Sequence, residues 1–175
     1  MKKFLAALYR FEAVLSKILE VFITACIITV FVGIFVTTIT RYLFGFSIMG
    51  VAEILLILFI LANSIGSSLL IRDGENIAIT YFIDLMPQKV RRFFHILSLV
   101  AVIVMNYYFT SLSMGWLNAT RTYRSMVTNI PHWISEIGIP IGCSLVILFA
   151  SIAIIKLLFD PEAYYSKLAE DVSTT

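Results

Sequence analysis

Four stretches of this chain run without a single charge for long enough to cross a lipid bilayer, and nothing else in the sequence constrains the fold as tightly. A hydrocarbon core about 30 Å thick and a helical rise of about 1.5 Å per residue require roughly 17–25 apolar residues per crossing. Val21–Thr40, Ile54–Ile71, Ile96–Thr120 and Ile137–Ile155 meet that requirement. Their flanks are Glu20 and Arg41, Glu53 and Arg72, His95 and Arg121, and Glu136 and Lys156. Composition agrees: 60% hydrophobic and 14% charged residues, with a mean hydropathy of +0.96, leave too few polar groups to cover a water-soluble globule. The fold class expected is an all-α integral membrane protein with four transmembrane helices. The first window is too long and starts too late for a cleavable signal peptide.

Orientation follows from the Lys and Arg residues of the short connections. Lys2, Lys3, Arg10 and Lys17 precede the first window, Arg72, Lys89, Arg91 and Arg92 separate the second from the third, and Lys156 and Lys167 follow the fourth. Only Arg41, Arg121 and Arg124 fall on the other side. The asymmetry predicts cytoplasmic termini in a multi-pass membrane protein. Two further helices are expected in the cytoplasmic interface. Over residues 3–19, Phe4, Leu8, Phe11, Leu15 and Leu19 recur at three- and four-residue steps opposite Lys3, Arg10 and Lys17. Residues 76–86 form a second apolar segment too short to cross, stopped by Pro87. Residues 1–160 thus read as one membrane domain, with 161–175 as a cytoplasmic tail.

The windows exclude more than they specify. None holds Asp, Glu, Lys, Arg or His, the residues that usually mark proton relays and ion pathways within a membrane. A self-sufficient carrier is therefore disfavoured, although a homo-oligomeric carrier or channel stays open as the alternative. Haem ligation needs facing histidines, and His95 and His132 fall at opposite surfaces. Cys26 and Cys143 form no pair or metal-ligand cluster, and no nucleophile–base constellation is visible. No enzyme activity, cofactor or metal is expected. What the windows do contain is small and weakly polar: Ala62, Asn63, Ser64, Gly66, Ser67 and Ser68 in the second, and Gly138, Pro140 and Gly142 opening the fourth. Such surfaces let helices approach closely, within one chain or between subunits. Asn106, Tyr107 and Tyr108 fall mid-window in the third, where their polar atoms should find partners inside a bundle. The residues proposed to face a partner are Arg41, Glu53, Asn63, Gly66, Ser67, Arg72, Arg121 and Arg124; Arg41 and Glu53 are also placed to pair with each other.

Several of these residues carry a family likeness. Arg41-Tyr-Leu-Phe-Gly45, Ser47, Glu53, Gly66 and Arg72-Asp-Gly74 resemble the small membrane subunit of tripartite ATP-independent periplasmic (TRAP) transporters, the DctQ-like family. Pro87 with Lys89-Val-Arg91-Arg92, and Ile139-Pro-Ile-Gly142, are similar as well. The chain departs from the common pattern at Gly50, Ala52 and Asn76, where family members often carry Trp, an acid and His. The resemblance implies a small permease subunit that steadies a large sodium-coupled elevator subunit. It also implies a periplasmic binding protein that delivers an organic acid, such as sialic acid or a C4-dicarboxylate, for uptake by symport.

Overall fold

The computed structural model describes residues 2–46, 50–73, 88–159 and 161. Five helices account for most of them: α1 (Lys2–Phe44), α2 (Val51–Asp73), α3 (Gln88–Thr120), the short α4 (His132–Glu136) and α5 (Gly138–Phe159). No strand occurs among the described residues, only an isolated bridge between Arg124 and Pro131. Helices α1, α2, α3 and the α4–α5 unit are each long and apolar enough to cross a membrane, which matches the four expected crossings.

Local chemistry sets the breaks. Gly45 adopts a φ of +69°, the left-handed conformation that commonly ends a helix, and α1 stops at Phe44. Pro140 lacks the N–H that would donate to the carbonyl of Glu136, four residues back, and the helix is interrupted at Ile137 between α4 and α5. No such signal separates residues 3–19 from the first apolar window, because neither Pro nor Gly occurs before Gly33. The segment expected as an interfacial helix of its own instead continues unbroken into the first crossing, giving a helix of 43 residues, about 65 Å long at 1.5 Å per residue. Its inward side also differs from the expected apolar stripe. Leu15 and Leu19 pack against the core, but Phe11 is 53% exposed while Glu12 and Ser16 are buried. The second interfacial helix, 76–86, and the tail from 162 lie outside the described residues.

The crossings pack as a single row rather than a closed bundle. Helix α1 lies against α2, α2 against α5, and α5 against α3; α1 meets α5 only slightly. Helix α5 therefore has neighbours on two sides, and its nearly uniform Ile, Leu, Val and Ala surface suits that position. Phe149, Ala150 and Leu157 on α5 are fully buried, joined by Ile71 of α2 and Leu99 of α3. The seam between α2 and α5 rests on two glycines. A Cβ at Gly142 would stand 2.5 Å from the carbonyl oxygen of Ser64, and one at Gly138 would stand 3.2 Å from the Cα of Leu61. The glycine pair of the fourth window is thus an intrachain contact, where the two backbones meet. Along the first seam Gly33 serves similarly, with a Cβ there falling 2.5 Å from Leu55 Cδ2.

Candidate partner interface

The row has two ends. One, called here the loop end, carries the connection after α1 and the 121–131 connection. The other, the terminal end, carries the start of α1 and the end of α5.

At the loop end the two connections are locked together. Backbone bonds from Ser125 N–H to Ile130 O (3.0 Å) and from His132 N–H to Tyr123 O (3.1 Å) fold 121–131 back on itself, with Asn129 at a φ of 58°. The Ser125 hydroxyl accepts from the Val127 and Thr128 amides at 3.2 and 3.4 Å, and the Thr128 hydroxyl donates to the Glu53 carboxylate in the first turn of α2. Gly50 completes the contact, since a Cβ there would stand 3.0 Å from Thr128 Cγ2. Thr120 Oγ1 donates to Trp116 O at 2.9 Å and stands 3.4 Å from the Glu136 carboxylate, so the end of α3 lies beside α4. Glu53 is therefore engaged with Thr128 rather than with Arg41, one of the two pairings its position left open. Arg41, Arg121 and Arg124 are exposed at this end, beside a tip on which Met126 is fully exposed and Tyr123 and Val127 largely so.

The terminal end holds the charges that spacing did not single out. Lys156, in the last turn of α5, is 4% exposed and forms an ion pair with Glu12 of α1, itself 5% exposed. The ammonium also lies 4.3 Å from the centroid of the Tyr9 ring. Glu12 was invisible as a functional residue because it falls among the charges of an amphipathic segment, and Lys156 because it reads as the boundary of an apolar window. Arg72 donates to Glu20 at 2.7 Å, so the charges flanking the first and second windows pair at one depth. Arg92 donates to the carbonyl of Leu158 at 2.8 Å, satisfying one of the acceptors that the C-terminus of α5 leaves open. His95 is buried at the same end.

Between the ends, α2 presents one continuous open stripe. Ala52, Leu56, Phe59, Asn63, Ser67 and Leu70 are exposed at three- and four-residue steps, with Gly66 beside them. A Cβ at Gly66 would touch nothing within 4 Å. The small face of the second window thus divides: Ala62, Ile65 and Ser68 are buried in the row, while Asn63, Gly66 and Ser67 face outward. On α3, Asn106 donates to Val102 O within its own helix at 2.9 Å. Tyr107 and Tyr108 are 66% and 64% exposed, outside the row rather than within it as expected, their rings meeting edge to face at 6.3 Å. No group of three or more metal-ligating side chains occurs among the described residues.

Apolar helices one layer deep, four of them long enough to cross a bilayer, define a multi-pass membrane protein. The chain belongs to the DctQ component family of the tripartite ATP-independent periplasmic transporters, whose family model matches residues 30–160. It is therefore a TRAP-type small permease subunit of the inner membrane, a transporter component and not a member of an enzyme family. No curated protein matches the chain.

Proposed function

We propose that this subunit is the stationary scaffold of its transporter. In this reading it lies beside a large many-span membrane subunit that binds substrate and sodium and moves as an elevator. A periplasmic binding protein delivers an organic acid, such as a sialic acid or a C4-dicarboxylate, to that assembly. The observation that carries the reading is the open stripe of α2 at Asn63, Gly66 and Ser67, near the middle of a membrane-crossing helix. An amide exposed at that depth is poorly solvated by lipid tails, and a surface without bulk lets a second backbone come close. The absence of ionisable residues from the four apolar windows fits a support rather than a pump. The termini are cytoplasmic in this scheme, which puts the loop end in the periplasm. Arg121 and Arg124 then face the binding protein, while Glu53 and Arg72 hold the chain's own ends in register.

Co-expression with the large membrane subunit tests the proposal. A tag on this chain should recover both polypeptides in a constant ratio, and vesicles holding this chain alone should show no sodium-driven uptake. Purification of the tagged chain by itself from such cells, or uptake by the chain alone, would overturn it. The second result would instead favour the homo-oligomeric carrier.

A further inference from the structure

An apolar groove of about 440 Å³ runs between α1 and α2 toward the loop end. Its walls are Ile34, Thr37 and Thr38 on α1 and Ala52, Leu56 and Phe59 on α2, over buried Val30 and Leu55. The two hydroxyls have no proton left for a ligand's oxygens, because Thr37 donates to Gly33 O and Thr38 to Ile34 O, each at 2.7 Å. Beyond the groove's lining, Arg41 is exposed, one turn past Thr37 and on the same side of α1 as Ile34 and Thr38. A helical side chain leans back toward the turn before it, so the groove lies within reach of the guanidinium. From Val30 to Arg41 the helix rises about 16 Å, close to the roughly 15 Å depth of one hydrocarbon leaflet.

We infer that this groove is a lipid site, holding one acyl chain of an anionic phospholipid whose phosphate pairs with Arg41. Length, apolar walls and a cation at headgroup depth match such a molecule along its whole extent. The lower half of the same α2 stripe differs in kind: Asn63, Gly66 and Ser67 offer small and polar surface suited to a protein backbone, whereas Leu56, Phe59 and Ile34 offer only hydrocarbon. The boundary between them lies within one turn, so the lipid sits at the edge of the surface left open for a subunit. This assignment does not depend on which protein that subunit is.

The test uses the full chain in micelles doped with equal amounts of palmitoyl-oleoyl phosphatidylglycerol and phosphatidylcholine, analysed by native mass spectrometry. One phosphatidylglycerol should be retained per chain, preferred about ten-fold over phosphatidylcholine, the scale of one charge-assisted hydrogen bond. Arg41→Gln should bring the two lipids to parity, Arg121→Gln should leave the preference intact, and Ala52→Phe should lose both. Equal retention of the two lipids by the unaltered chain would overturn the assignment whatever the variants do. So would an equal loss in Arg121→Gln, or lipid still held by Ala52→Phe. In cells that also express the large subunit, a photoreactive residue at Leu56 should capture phospholipid. Capture of a polypeptide there would mean that protein fills the groove.

Discussion

Replacement of Lys156 by Met should destabilise the protein far more than loss of any of its surface charges. Removing the ammonium leaves the Glu12 carboxylate buried beside the Tyr9 ring with its counter-charge gone. Breaking one side of a buried pair typically costs about 3–5 kcal/mol, most of it the uncompensated burial of the survivor. The same chain supplies a comparison in Arg72–Glu20, whose carboxylate side chain is 50% exposed; Arg72→Met should cost no more than about 1 kcal/mol. Glu12→Gln combined with Lys156→Met removes both charges, and the double variant should lose less than either single variant. Equilibrium unfolding in mixed micelles, followed through Trp116 and Trp133, gives the four corners of the cycle. Hydrogen exchange adds a local readout, because the first turns of α1 are held to α5 through this pair and should exchange faster in either single variant. Lys156→Met no worse than Arg72→Met, or a double variant that loses the sum of the two singles, would refute the reasoning.

Four further outcomes follow from the geometry. Gly142→Leu should separate α2 from α5 by driving a side chain into the Ser64 backbone, with a loss of several kcal/mol or failure to accumulate. Gly66→Leu should leave the isolated chain as stable as before yet reduce recovery of the large subunit; unchanged recovery would show that this face meets lipid. Thr128→Val removes one of the donors to the Glu53 carboxylate, beside Ser125, and should speed amide exchange in 121–131 and the start of α2 while leaving exchange elsewhere unchanged. Reversing Arg121 and Arg124 to Glu should weaken docking of the binding protein in a salt-dependent manner, checked by surface plasmon resonance on nanodisc-held complex at two ionic strengths.

The crossings were legible in the sequence because a bilayer filters for uninterrupted apolar length, and Val21–Thr40, Ile54–Ile71, Ile96–Thr120 and Ile137–Ile155 pass that filter on counting alone. Their lateral order was not. Periodicity normally tells which side of a helix is buried, but in lipid both sides are apolar, so the row of α1, α2, α5 and α3 left no imprint on hydropathy. For the same reason Tyr107 and Tyr108 read as interior and turn out exposed. The continuity of α1 was obscured by the charges at Arg10, Lys17 and Glu20, which mimic a boundary although the backbone has no reason to break there. Of the residues assigned to a partner, Asn63, Gly66 and Ser67 are open, Arg41, Arg121 and Arg124 are exposed, and Glu53 and Arg72 are occupied within the chain. The Glu12–Lys156 pair could not be found by spacing, because its members lie 144 positions apart and each has an ordinary local excuse for its charge.

A wall of helices one layer thick has no interior to keep it flat. Its burial is concentrated along the seams, where the glycines at 33, 138 and 142 let paired helices come close. In the scaffold role proposed above, such a subunit would contribute breadth to its transporter, with one face of the wall laid against the large subunit and the other against lipid.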